Sequence, residues 1–335
     1  MSRLAFFIRR VARIDRKRFK KTFHELKAQT GRGRVFLAFD LLVCGIRYNA
    51  GYMDYKIGRF DKLTHAQRKT VITRGISNSI VRKMNDKAYW HLFDDKCEFN
   101  ALFSRWVKRQ WIKADGSLDA RTLAAFLNGK GPLFVKPLEG SSGVGIERFE
   151  PEDFADADAF LSRVRSKGDC VIEETVIQHD ALAAIYPGSV NTVRIATLLG
   201  EKAEGIVYAF LRIGNGRVMD NVDAGGMAAR IDLSSGVINT VAADKQGREF
   251  SVHPLTESPI TGFQIPFFEE AKALCLEAMR VVPQVKYVAW DVAITQDGPC
   301  LIEGNSFPSH AVPQFAAHYP DGIGILPEFE RFISL

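Results

Sequence analysis

The stretch that most limits the fold of this chain is LFVKPLEGSSGVGIE, residues 133–147. A short apolar strand carrying Lys136 runs into a glycine-rich loop. The residues behind the loop, VGIERFE, alternate like a second strand, and helix-forming sequence starts only at Pro151. A Walker-type phosphate loop closes with Gly-Lys-Ser/Thr and opens a helix; here Gly145 is followed by Ile146 and Glu147. A dinucleotide fingerprint also needs a helix directly behind it. Two readings remain. One is a strand–loop–strand flap whose backbone amides at Ser141, Ser142, Gly143 and Val144 point at phosphate oxygens, with Lys136 placed to meet the same phosphates. The other is a glycine-rich hairpin with a lysine in water.

A second constellation decides between them. Near the C-terminus the chain reads VKYVAWDVAITQDGPCLIEGNS. Gln296-Asp297-Gly298 suits a three-residue hairpin loop with glycine in the left-handed position. In that register residue 295 faces 299, which puts Asp291 opposite Glu303, with Asn305 two residues on and on the same face. Two carboxylates and an amide at one end of an apolar hairpin are hard oxygen ligands of the kind that suit Mg²⁺ bridging ATP phosphates. Either acid alone could pair with a nearby Lys or Arg. All three residues together with an upstream phosphate loop point to a nucleotide and metal site.

The 335 residues suffice for about two domains. Strands are expected at 104–112, 132–136, 144–149, 170–174, 190–199, 205–213 and 227–232, with a final hairpin at 286–295 and 299–304. Helices are expected at 151–166 and 267–281, with Ser117 capping a short helix before the flap. Helical sequence leads: VFLAFDLLVCGIR (35–47) reads as a buried helix despite Asp40, and 62–95 as helix broken near Gly75. The chain is therefore α+β, with a mainly helical region at 1–84, a first α+β lobe with the flap at 85–185, and a second with the metal site at 186–335.

Charge is unevenly placed. The net charge is +6, yet residues 1–34 hold twelve Lys/Arg against Asp15 and Glu25, a balance of +10, so the rest balances to −4. Leu4, Phe7, Ile8, Val11 and Ile14 recur at helical spacing among Arg3, Arg9, Arg10 and Arg13. Such a basic amphipathic segment either packs on the protein's own body or lies on an anionic membrane face. It is not a signal peptide, because arginines interrupt the apolar run, and it is too short and charged to span a bilayer. No nucleic-acid module accompanies it, so no nucleic-acid partner is expected. Five scattered cysteines without a CxxC pair fit a reducing, cytoplasmic setting.

These motifs resemble the ATP-grasp superfamily, in which two α+β subdomains grip ATP. KPLEGSSGVGI is similar to the lysine and phosphate flap of D-alanine–D-alanine ligase, and WDVAITQDGPCLIEGNS to its metal-binding end. VIEE (171–174) sits where that family has its adenine-binding hinge, and NDKAYWHLF (85–93) where it carries its first nucleotide-contacting lysine. SVNTVRIATLL, GGMAARID and the helical N-terminal half resemble the sugar-transfer-associated branch. The resemblance implies ATP and Mg²⁺ as cofactors. Lys87 and Lys136 would contact the nucleotide. Glu139, Gly140, Ser141, Ser142, Gly143 and Val144 would form the flap. Glu173, Glu174 and Val176 would line the adenine, with Asp180 or His179 at the ribose. Asp291, Glu303 and Asn305 would hold the metal. The family's arginine two residues before the metal aspartate is Ala289 here, which leaves Arg194 and Arg230 as candidates for the γ-phosphate or a substrate carboxylate. The usual Rossmann-like leading domain has no counterpart in the helical sequence of residues 1–84.

The implied activity is an ATP-dependent carboxylate–amine ligase working through an acylphosphate, in cell-surface polysaccharide or related amino-acid conjugate synthesis. Its substrates would be small-molecule or saccharide-linked, and the basic arm would hold the enzyme at the inner membrane face. The alternatives are a phosphotransferase acting on a hydroxyl and a non-catalytic nucleotide-binding partner.

Overall fold

A computed structural model describes residues 15–138, 140, 145–217 and 220–335. The apolar periodicity read at residues 4–14 lies outside these.

Among the described residues five helices lead: α1 (Arg16–Thr30), α2 (Arg34–Tyr48), α3 (Tyr52–Ile57), α4 (His65–Arg68) and α5 (Arg74–Met84). The Asp15 carboxylate accepts from the Lys17 and Arg18 amides and starts α1, and Gly31, at φ 67°, ends it. The first three helices and the segment behind them share a core of Leu26, Leu37, Cys44, Tyr55 and Phe60. Helix α2 is not the buried helix that its hydropathy predicts. Leu37, Asp40 and Cys44 face inward, while Val35, Phe36, Phe39, Leu42 and Ile46 are exposed. Asp40 tolerates burial because Arg68 (2.7 Å) and the Tyr55 hydroxyl (2.7 Å) donate to it.

Three short helices follow: α6 (His91–Asp94), α7 (Lys96–Leu102) and α8 (Ser104–Val107). A strand over 104–112 is expected from the sequence; only β1 (Trp111–Ala114) forms. Phe99, Phe103 and Val107 recur at a spacing of four, so α7, α8 and the Phe103 junction between them bury all three in the core that holds Trp290.

The smaller sheet contains β1, then β2 (Leu133–Pro137), β3 (Glu147–Phe149) and β4 (Cys170–Glu174), in the order β1-β4-β2-β3 and wholly antiparallel. Helices α9 (Ala120–Leu127) and α10 (Ala157–Arg165) bury Leu123, Leu127, Phe160 and Val164 against Leu133, Val135 and Ile172. Asp119, not Ser117, caps α9. The helix expected from Pro151 is a 3-10 turn to Phe154, after which Asp156 caps α10.

Helix α11 (Asp180–Ile185) leads to the larger sheet: β5 (Val193–Leu199), β6 (Glu204–Ile213), β7 (Met227–Ile231), β8 (Ala242–Ala243), β9 (Glu249–Phe250), β10 (Tyr287–Thr295) and β11 (Gly298–Asn305). Their order is β11-β10-β5-β6-β7-β8-β9. One face, with Ile195, Leu211, Trp290 and Val292, is covered by α6 to α8 and by α12 (Phe268–Ala278). Residues 91–107, assigned to the first lobe from sequence, thus pack in the core of the second sheet. The other face packs Ala196, Tyr208 and Ala289 against α5, Phe315 and α13 (Leu326–Glu330). Where that covering stops, the sheet turns polar and faces the smaller sheet.

Candidate functional site

The polar end is built by the β10–β11 hairpin. Its loop is Gln296-Asp297, two residues rather than three, so Thr295 pairs with Gly298, which takes φ 97°. Left alone, that one-residue shift would move Glu303 out of line. A bulge at Ile302 restores the register, and Asp291 faces Glu303 as expected by a different route. The Leu301 and Ile302 carbonyls at the bulge accept from Arg109 at 2.7 and 3.1 Å. Gly304 is required between the two ligand candidates. A Cβ there would meet Phe93, Trp290 and Phe99 at 3.0–3.1 Å.

Asp291 continues a cross-strand row: Arg194 on β5 lies beside it, then Phe210 on β6 and Arg230 on β7. Arg194 grips Asp291 with both ends of its guanidinium and lies 3.8 Å from Glu303. Arg212, one turn of the pleat from Phe210, donates to Asp291 at 2.5 Å and pairs with Asp220 at 2.8 Å. Burial pushes the Asp291 carboxyl upward, but these two guanidiniums outweigh it and hold it at about 2. Glu303 moves the other way: its surroundings and the neighbouring Asp291 charge raise it. Its half-exposed side chain lines the cleft. Asn305 donates its amide to the Ala289 carbonyl and, at 3.4 Å, to Glu303, leaving its side-chain oxygen free of any hydrogen bond donor.

The facing wall is the smaller sheet. Lys136 on β2 pairs with Glu173 on β4, which also accepts from Arg109 at 2.8 Å. Burial works against the Glu173 charge, yet Arg109 and Lys136 hold its pKa at about 2. Arg109 therefore ties Glu173 in one sheet to the bulge in the other. Lys96, at the start of α7, donates to the Leu138 and Gly140 carbonyls at 3.3 Å, where the glycine-rich loop begins. Burial lowers its pKa, against the pull of Glu303.

Between the walls lies a cleft of about 1070 Å³. Lys136, Gly140, Glu173, Glu174, Val176, Asp180, Arg194, Asp291, Glu303 and Asn305 all line it. Glu174 is held by Lys130 at 2.6 Å. Glu139 and the loop residues Ser141, Ser142, Gly143 and Val144 lie outside the described residues. Two expected residues are elsewhere. Lys87 is exposed in a 3-10 turn capped by Asp86 and is not among the residues that line the cleft, whereas Lys96 is. Arg230 lies beyond Phe210, outside the cleft lining, stacked 4.7 Å over the Tyr319 ring. Arg212 lines the cleft beside Arg194.

Sequence reasoning missed Lys96, Arg109, Arg212 and Asp220. Arg212 carried a signal: it is a charge at the end of the apolar run IVYAFL, as Arg194 is a lone charge in β5. Arg109 carried none, since its partner Glu173 is 64 residues away. His310, which lies just past the metal motif, donates its ring N–H to the Asp54 carboxylate at 2.8 Å and so pins the cleft rim to α3. A second hollow of about 440 Å³ adjoins the cleft and shares Ile57, Lys245 and Phe315 with it, so the helical region forms part of the wall.

Among the described residues no cluster of three His, Cys, Asp or Glu side chains is present. The donor set nevertheless fits Mg²⁺, which takes one or two carboxylates and completes its shell with water and phosphate oxygens. Glu303 and the Asn305 side-chain oxygen are available, and Asp291 shares its charge with two arginines.

The model of the sugar-transfer associated ATP-grasp family matches residues 155–328, just over half of the chain. No curated protein matches. Among solved structures, the D-alanine-D-alanine ligase from Coxiella burnetii is 11% identical, with 72% of this chain and 56% of that one covered at a TM-score of 0.43. The VanG D-Ala:D-Ser ligase from Enterococcus faecalis is 14% identical, with 71% and 60% covered at 0.43. The ATP-grasp ligase PsnB, solved with a minimal precursor, is 13% identical, with 81% and 73% covered at 0.43. The chain thus spans somewhat over half the length of the first two. The family match agrees with the α+β architecture, and the chain belongs to the sugar-transfer associated ATP-grasp family.

Proposed function

We propose that this protein is an ATP-dependent ligase joining a carboxylate to an amine, with the acceptor drawn from surface-saccharide assembly. One observation carries the reading. A single cleft sets Lys96, Lys136 and the start of a glycine-rich loop on one wall against Arg194, Arg212, Asp291, Glu303 and Asn305 on the other.

In the reaction, a carboxylate oxygen attacks the γ-phosphorus of ATP and ADP leaves. The amine then attacks the acylphosphate carbonyl, forming the amide and releasing inorganic phosphate and a proton. The chain's contribution is positioning and charge. Lys96 and Lys136 approach the phosphates from the flap side. Arg194 and Arg212 hold Asp291 ionised and bring two guanidiniums to the place where negative charge gathers. Asp291, Glu303 and Asn305 would hold Mg²⁺, which supplies further neutralisation of the phosphoryl oxygens. The thiols offer no rival nucleophile: all five cysteines are buried and burial raises each of them, Cys44 and Cys97 to about 12. The hollow walled by Ile57 and Lys245 gives the second substrate a path to the cleft.

The test is to supply ATP, Mg²⁺ and pools of uronic acids, amino acids and amines, and to follow ADP and inorganic phosphate. Release of both that needs acid and amine together supports the ligase. A stable phosphorylated acceptor with no amine requirement would convert the reading to a phosphotransferase. The two lysines separate in a simpler assay. Lys96→Ala is expected to weaken ATP binding roughly tenfold or more, the cost of a lost charged hydrogen bond, and Lys87→Ala to leave it unchanged, as read by equilibrium titration.

A further inference from the structure

We propose that the exposed face of helix α2, with Arg34 and Arg47 exposed on the same helix and Arg32 stacked 4.8 Å over the Phe36 ring, is a docking surface for an anionic lipid bilayer. Val35, Phe39, Leu42 and Ile46 stand at i, i+4, i+7 and i+11 and form one stripe, flanked by Phe36. They are 85%, 64%, 44%, 39% and, for Phe36, 53% exposed. The opposite side, Leu37, Asp40, Cys44 and Tyr48, is buried. Scattered apolar residues at a surface need no explanation, but five aligned large ones, two of them phenylalanines, mark an interface.

Charge selects the occupant. The exposed charges of residues 15–48 are Arg16, Lys17, Arg18, Lys20, Lys21, Lys27, Arg34 and Arg47 against Asp15 alone. Asp15 is spent as the cap of α1, and Glu25 is paired with Lys56. Asp40, the one acid of α2, is turned inward onto Arg68. The fourteen residues before Asp15 add four arginines and no acid. A protein partner of ordinary composition would leave these cations unmatched. A second copy would set them against each other. A sheet of anionic headgroups answers Arg34 and Arg47, with the basic residues of α1 close in sequence, while the apolar stripe enters the acyl boundary. Among the described residues no helix is long and apolar enough to cross a membrane, so α2 lies in the plane of the surface. This placement is independent of the chemistry in the cleft.

The experiment is sedimentation of the full chain with vesicles of equal parts phosphatidylglycerol and phosphatidylcholine, and with phosphatidylcholine alone. Binding to the anionic vesicles only, weakened by salt, is expected. The double variant Phe36→Glu/Phe39→Glu is expected to lose it about tenfold or more, with an unchanged melting temperature, since both rings lie outside the core. A chain that stays in the supernatant with both vesicles overturns the proposal, as does a double variant that sediments like its parent. A lipid-free dimer that the double variant splits also overturns it and gives the face to a second copy.

Discussion

Glu303→Gln is expected to lower ATP turnover about 100- to 1000-fold, the usual loss for one preorganised charge-stabilising group, while the fold stays intact. The stability half of this expectation comes from the contacts. Glu303 is half-exposed, 3.8 Å from Arg194 and 3.4 Å from the Asn305 amide, so no short ion pair depends on it. Losing its charge also leaves Asp291 with less like-charge repulsion. Denaturant unfolding should therefore move by no more than about 1 kcal/mol. Steady-state kinetics and urea titration of the same preparation check both halves. A variant that keeps full turnover would remove Glu303 from the site.

The second large effect is one of stability. Asp291 is 2% exposed and sits between Arg194, which grips it with two guanidinium nitrogens, and Arg212, which donates one and gives the other to Asp220. Asp291→Asn keeps the volume and removes the charge. Arg194 then has only the more distant Glu303, and Arg212 only Asp220, whose own pKa burial already raises. Breaking one partner out of a buried charge network costs about 3–5 kcal/mol. Asp291→Asn should therefore lose activity and also unfold at distinctly lower urea, where Glu303→Gln does not. Equal, small stability changes in the two variants would mean that solvent reaches the arginines and that the network is weaker than its geometry implies.

The facing pair Asp291 and Glu303 was legible in the sequence because strand alternation preserves faces over short distances. The route was not: a two-residue loop and the Ile302 bulge cancel, and only Arg109, far away in the chain, satisfies the carbonyls the bulge exposes. Lys136 was legible from its place before a glycine-rich loop. Lys96 was not, since a lysine in DDKCEFN has no pattern to set it apart from Lys87, nine residues earlier. Helix α2 misled because hydropathy records how apolar a segment is and not what covers it. Its mean apolarity predicts burial, while the phase of Leu37, Asp40 and Cys44 shows that one side is spent on the core and the other left outside. The strand expected at 104–112 failed for a related reason: short apolar runs fit either period, and Trp290 selected the helix.

The central claim, that the cleft between the two sheets takes ATP with Mg²⁺, has a direct test. Binding of a non-hydrolysable ATP analogue would be measured by calorimetry, with Mg²⁺ and with a chelator, in the parent chain and in Glu303→Gln. The account predicts tight binding that needs Mg²⁺ in the parent and a Mg²⁺ dependence that is lost in the variant. Absence of binding, or the same affinity in all four titrations, would contradict it.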